Sequence, residues 1–311
     1  MSDVAQQPTR TPRGQLCEHE GMNRHCSWRA GGPARRYYVP VDLPGLQDFL
    51  AGRPQHEALY VTGLGSNLLV RDGGLAATVV HTHGALTGLQ AAGDDVLDVE
   101  AGVASPKIAR FAARHDLEGA EFLAGIPGTL GGALAMNAGC YGDETWNHVV
   151  DVTTIDRGGS LRVRTPADFE VSYRHVVLRD GSPRGLAPLA EWFVSARLRF
   201  VRGDGARAGL RIRELLSQRI ATQPLQQPNA GSVFRNPPED HAARLIEAAG
   251  LKGMVVGGAQ VSHRHANFIV NLGHASAADI ETLIAHVQGT VHARSGVLLE
   301  PEVRIVGEGL Q

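Results

Sequence analysis

The chain has 311 residues and a formal net charge of −2, from 30 basic and 32 acidic side chains. That length can hold two or three modest domains, and the near balance of charge excludes a general nucleic-acid binder, which carries a basic excess. Three cysteines, Cys17, Cys26 and Cys140, form an odd set at spacings that fit no zinc pattern, which argues against a disulfide scaffold.

Residues 1–16 carry prolines and polar groups without the apolar segment of a secretory signal, so a mobile tail is expected. Leu46, Phe49 and Leu50 lie at helical spacing. Leu59-Tyr60-Val61 reads as a strand, as do 77–80 and 96–99. Ser105-Pro106 reads as a helix start, with serine as the N-cap and proline at the first helical position. Residues 149–164 read as a hairpin turning at Arg157-Gly158-Gly159-Ser160, and Val194, Ala196, Leu198 and Phe200 alternate as in a half-buried strand. Ile212, Leu215 and Leu216 mark a helix, Leu245, Ile246 and Ala249 before Gly250 another, and Ser276 caps a longer one with Ile280, Leu283, Ile284, Val287 and Val291 on one face. The chain closes on a strand pattern over 297–306, interrupted by Pro301. Helices and strands alternate irregularly with hairpins among them, which points to an α+β fold with boundaries near 82 and 210. No apolar run reaches the length of a membrane span, so a cytoplasmic protein is expected.

Two glycine-rich segments stand out. In Gly63-Leu64-Gly65-Ser66-Asn67-Leu68 a strand ends in a turn whose consecutive N–H groups suit phosphate oxygens. It is not GxGxxG followed by a clear helix, so the signal for a Rossmann fingerprint is weak, and in isolation an ordinary glycine turn explains the segment slightly better. The second runs from Gly125-Ile126-Pro127-Gly128-Thr129 through Gly131-Gly132 to Asn137-Ala138-Gly139 and is almost uncharged. It suits backbone lying against a large flat ligand, or tight packing of small residues.

Further on, Asn229-Ala230-Gly231-Ser232-Val233-Phe234-Arg235-Asn236-Pro237 is a loop with polar groups at a bend. Arg174, after Tyr173, is a candidate anion clamp. Glu300 and Glu302 share one face if extended, and Lys252 and Gln260 lie among glycines where they could reach a phosphorylated ligand. None of the fourteen histidines falls in an HExxH motif or at convincing metal spacing, so no metal is expected.

In order and spacing, Gly65-Ser66-Asn67-Leu68-Leu69, Gly125-Ile126-Pro127-Gly128 through Asn137-Ala138-Gly139, Tyr173-Arg174, Ala230-Gly231-Ser232 through Asn236-Pro237, Leu251-Lys252-Gly253 and Glu302-Val303-Arg304 resemble the UDP-N-acetylenolpyruvoylglucosamine reductase family. The resemblance covers roughly Asn23 to Gly307. It implies a two-subdomain FAD-binding fold of the vanillyl-alcohol-oxidase type and a C-terminal α+β substrate-binding domain. The expected division is 17–82 and 83–209 for the FAD-binding parts, with 297–311 returning to the second, and 210–296 for the substrate domain. It further implies FAD as cofactor and NADPH as hydride donor. UDP-N-acetylglucosamine enolpyruvate is the implied substrate, and a monomer is expected.

By the same resemblance Ser232 is the general acid, with Arg174 and Glu302 as its catalytic partners. The cofactor-binding set is Gly63, Gly65, Ser66, Asn67, Leu68, Gly125, Ile126, Pro127, Gly128, Thr129, Gly131, Gly132, Asn137, Ala138 and Gly139. Tyr173, Asn236, Lys252 and Gln260 are expected to touch substrate. His175-Val176-Val177-Leu178 departs from the family pattern after Arg174. The short spans from Arg174 to Ser232 and from Asn236 to Lys252 resemble the shorter form of the family, without the extra substrate-covering loop. Two rival readings are an FAD oxidase or dehydrogenase with another substrate, and a non-catalytic nucleotide-binding module.

Overall fold

The computed structural model describes residues 13–54, 56–179 and 191–310. A first sheet has the order Gly14–Gly21, Pro33–Pro40, Leu75–His81, Leu59–Thr62; its first pair is antiparallel and the other two are parallel. Leu75–His81 lies between two parallel neighbours, which suits its nearly continuous apolar run. The helix Leu43–Ala51 starts where the Asp42 side chain accepts from the Gly45 N–H, and it buries Leu46, Phe49 and Leu50. Phe49 stacks on Tyr38 of the sheet with ring centres 3.7 Å apart.

A second, antiparallel sheet has the order Leu161–Arg164, Val149–Asp156, Glu191–Arg199, Val96–Glu100, Leu89–Ala91. The helices Ser105–Arg114 and Gly205–Thr222 share its core, where Ile108, Ala112 and Ile212 join Leu97, Val99, Ala196 and Leu198. A third unit packs the small antiparallel sheet Val255–Val256, Ala259–Val261, Ile269–Asn271 against the helices Ala242–Ala248 and Ala277–Ser295. The long helix begins at the expected Ser276, in a reciprocal cap with Asp279, and ends at left-handed Gly296. Among the described residues no helix is long and apolar enough to cross a membrane.

Trp28 joins this third unit to the N-terminal part of the chain. It is fully buried in the same core, its indole N–H donates to the Ile269 carbonyl at 2.8 Å, and its own carbonyl accepts from Asn271 Nδ2 at 2.9 Å. Trp28→Ala is expected to lower stability by about 3–5 kcal/mol, because it removes a large buried ring and orphans a carbonyl. A chemical-denaturation midpoint equal to that of the parent protein would contradict this account of how the parts are held.

Several boundaries differ from expectation. The closing strand contracts to Arg304–Val306 and runs parallel to Leu68–Val70, so its strand partner lies in 17–82 and not in the expected 83–209. Proline lacks an N–H, and the stretch before Arg304 is tied down by single bridges such as Phe234 to Pro301. The expected boundary at 209/210 falls inside the helix Gly205–Thr222, because its buried face belongs to the core of the second sheet. Residues 14–16 of the expected tail pair with Tyr38, Val39 and Pro40, while 1–12 lie outside the described residues. Ser105 sits inside its helix, with Ala104 at the N-cap and the serine hydroxyl buried without a partner.

Candidate active site

The two glycine-rich segments form facing walls of one cleft. Gly63, Gly65, Ser66, Asn67 and Leu68 line one side; Gly125, Ile126, Pro127, Gly128, Thr129, Gly132, Ala138 and Gly139 line the other. The walls are close: a Cβ on Gly63 would come within 2.1 Å of Thr129 Oγ1. Gly65 is left-handed at φ +60°, and a Cβ there would meet the His25 carbonyl oxygen at 2.0 Å. Gly131 and Asn137 do not line the cleft. Gly131 turns onto Ala101, where a Cβ would already be 3.0 Å from the alanine methyl. Asn137 is buried, accepting from the Trp146 N–H and donating to Glu144 and to the Ser172 carbonyl.

Arg174, Glu302, Ser232, Tyr173 and Asn236 all line the same cleft. Phe169–Ser172 and His175–Leu178 form a hairpin in which Ser172 faces His175, so Tyr173 and Arg174 are its two-residue turn. Residues 175–178, where the sequence departs from the family pattern, are the returning strand of that hairpin. Arg174 adopts φ +55°, an uncommon conformation for a side chain of its size. Its Nη1 donates to the Asn137 carbonyl at 3.1 Å, its Nη2 to the Gly139 carbonyl at 3.0 Å, and its Nε to Glu302 Oε1 at 3.1 Å. Asn137 therefore serves the site by orienting Arg174.

The Glu302 side chain is only 13 % exposed. Burial raises its proton affinity above the ordinary carboxylate value, against the opposing pull of Arg174 and Arg235. A raised carboxyl pKa favours folding below the unfolded value, and this contribution is lost as pH rises through the folded value.

The serine loop is fixed by backbone bonds. Gly231, at φ +74°, donates to Asn229 Oδ1 at 3.0 Å, and Val233 donates to the Asn267 carbonyl at 2.9 Å. The Asn267 side chain accepts from the Phe234 N–H and donates to the Phe234 carbonyl. The Glu302 N–H donates to the Val233 carbonyl at 2.7 Å, and Asn67 Nδ2 donates to the Glu302 carbonyl at 3.1 Å. Ser232, Glu302 and the first glycine loop are thus laced together although they lie far apart in sequence.

Two expected substrate contacts lie outside this lining. Lys252 and Gln260 do not line the cleft: Lys252 Nζ pairs with Glu247 at 2.8 Å, and Gln260 Nε2 donates to the Gly253 carbonyl at 3.3 Å. The turn after the helix Ala242–Ala248 folds Lys252 back onto Glu247. Asn236 lines the cleft and also accepts from the Ala242 N–H at the start of that helix, at 3.1 Å. Arg219, Gln223, Phe268 and Arg304 also line it and were missed. Arg304 follows Glu302 by two positions, a signal that was available; Arg219 and Gln223 are linked at helical spacing across the end of Gly205–Thr222.

Residues 50–164 match the family model of an FAD-binding domain, and 223–306 match that of the UDP-N-acetylenolpyruvoylglucosamine reductase C-terminal domain. The UDP-N-acetylenolpyruvoylglucosamine reductase of Thiobacillus denitrificans is 56 % identical over 95 % of this chain and 93 % of its own. That of Methylococcus capsulatus is 57 % identical over 95 % and 94 %. The chain belongs to the UDP-N-acetylenolpyruvoylglucosamine reductase family. The solved reductase from Thermus caldophilus superposes with a TM-score of 0.78 at 31 % identity, covering 94 % of this chain and 98 % of that one.

A reductase of this family uses FAD, and the cleft fits that group. Its walls are mostly uncharged backbone, and the buried hydroxyls of Thr62 and Thr129, both in the lining, have no partner within the protein. Gly65→Ala is expected to cost at least about 1–2 kcal/mol for the left-handed backbone alone and more for the collision with His25. The reductase variant should therefore retain much less flavin on purification, read as the flavin-to-protein absorbance ratio. Parent-like retention would show that this turn tolerates a side chain.

Proposed function

We propose that the protein reduces the enolpyruvyl ether of UDP-N-acetylglucosamine enolpyruvate to the lactyl ether of UDP-N-acetylmuramate, in peptidoglycan precursor synthesis. The observation that carries this is the meeting of Arg174, Glu302 and Ser232 in the cleft walled by the two glycine-rich segments. FAD, held between the two glycine-rich walls, would supply hydride chemistry, with NADPH as the donor and the terminal vinyl carbon of the substrate as the acceptor. Addition there places negative charge on the neighbouring carbon and its carboxylate. Three of the five guanidinium donors of Arg174 are engaged by Asn137, Gly139 and Glu302, which leaves two for that carboxylate. Ser232 supplies the proton to the carbon. Glu302 in its protonated form donates to the developing anion and can return a proton to the serine oxygen. The reading is of a cytoplasmic monomer, in which Arg174, Glu302 and Ser232 of one chain complete the site.

The test is anaerobic titration of the NADPH-reduced protein with UDP-N-acetylglucosamine enolpyruvate, followed at the flavin band. Stoichiometric reoxidation is expected. Reoxidation by oxygen or by another substrate, but not by the enolpyruvyl sugar nucleotide, would favour a different FAD enzyme on the same fold.

The protonation of Glu302 gives a pH prediction. Its folded pKa is raised, so the protonated form persists to higher pH than for an ordinary glutamate, and reoxidation should slow as pH rises through that value. Glu302→Gln keeps a neutral donor and should abolish this alkaline limb in single-turnover measurements. An unchanged limb in the variant would assign the titration to another group.

A further inference from the structure

We propose that Arg235 is a positioning residue for Arg174: its guanidinium holds the left-handed turn that aims Arg174 into the cleft, coupling that turn to the loop that carries Ser232. The inference rests on the assignment of Arg174 to the substrate carboxylate. Arg235 follows Ser232 by three residues, and its Nη2 donates to the Arg174 carbonyl oxygen at 3.1 Å. That carbonyl belongs to a residue at φ +55°, where the backbone resists relaxation only if something outside the turn holds it.

Arg235 is itself well anchored. Its backbone N–H donates to the Glu300 carbonyl at 2.9 Å, in the segment that leads into Glu302. Its side chain is 29 % exposed and its Nε is buried without a protein partner. Its carboxylate neighbour is Glu300, at 3.7 Å and 74 % exposed, a weak surface contact that does not account for the buried end of the side chain. The charged groups facing it are Arg174, Glu300, Glu302 and Arg304, and Glu302 in turn is faced by Arg174 and Arg235. One side chain therefore touches the backbone of the anion clamp and biases the charge state of its carboxylate partner. A displacement of that clamp by about 1 Å is enough to cost on the order of 100-fold in rate.

The experiment compares Arg235→Met and Arg235→Lys in the full-length, FAD-loaded enzyme, with the two half-reactions measured separately. Reduction by NADPH should be unchanged in both. Reoxidation by UDP-N-acetylglucosamine enolpyruvate should slow roughly 10- to 100-fold in Arg235→Met, and Arg235→Lys should recover most of this, because an ammonium can donate to the same carbonyl. Loss of the cation should also move the alkaline limb assigned to Glu302 to higher pH in the methionine variant and leave it in place in the lysine variant, a shift that a merely structural residue would not produce. Parent-like reoxidation in Arg235→Met, an equal fall of both half-reactions, or failure of lysine to rescue would each overturn the proposal. If Arg235→Met does not retain FAD, Arg235→Gln keeps a donor without the charge: near-parent rate with a displaced limb supports the proposal, and a parent-like pH profile overturns it. If Arg174 variants prove harmless, the underlying site reading fails; if they are crippled while Arg235→Met is not, only this inference does.

Discussion

Replacing Ser232 with alanine is expected to leave reduction of the bound flavin by NADPH intact and to slow reoxidation by the enolpyruvyl substrate by about 10²–10⁴-fold, the usual worth of a positioned general acid. A serine is a poor acid in water, so position must compensate for it. Here the position is fixed by the left-handed Gly231 before it and by Val233 after it, which is bonded to Asn267 on one side and to Glu302 on the other. Alanine preserves these backbone bonds and removes only the hydroxyl, so the loss should be confined to the second half-reaction. Ser232→Cys offers a more acidic proton, near pKa 8.5 in its free state, and should recover part of the rate. The measurement is anaerobic stopped-flow with each half-reaction isolated. Normal reoxidation of Ser232→Ala would remove the serine from the mechanism.

Arg174→Lys is expected to slow the same half-reaction by about 10²–10³-fold while sparing reduction by NADPH. Lysine keeps the charge but not the planar fork. In the parent that fork holds the Asn137 and Gly139 carbonyls with its two Nη groups and Glu302 with Nε. An ammonium cannot satisfy all three and still present a bidentate face to a carboxylate. Glu302 would lose its paired donor within a buried site, so the alkaline limb should also move to higher pH. A lysine variant with parent-like reoxidation and substrate affinity would show that the guanidinium shape is dispensable.

Most of the expected cofactor-binding residues line one cleft, but each glycine-rich segment alone also fits an ordinary turn or tight packing, so it was the resemblance that joined them. Gly131 and Asn137 were the exceptions: one packs on Ala101 and the other orients Arg174, roles that depend on which way a short segment faces. The meeting of Arg174 with Glu302 spans 128 positions and depends on a hairpin turn and a bridged C-terminal segment, so only the resemblance to a known family linked them. Lys252 and Gln260 lie outside the lining because proximity to glycines says nothing about direction; a nearby glutamate and a carbonyl hold them. The long helix Ala277–Ser295 was legible because cap, periodicity and terminating glycine all agree. The closing strand was not, because alternation continues through Pro301 while pairing begins only at Arg304.

The slot that receives Trp28 bears on modularity. Residues 223–306 form a recognisable family segment, yet that segment borrows an indole from residue 28 between Ile269 and Asn271, and its last strand takes its partner from Leu68–Val70. Excised alone, it would expose an empty apolar socket and an unpaired edge. Domain exchange between relatives must therefore carry 28 and 68–70 along with 223–306; the unit of inheritance is the threaded whole, not the two halves that pattern matching separates.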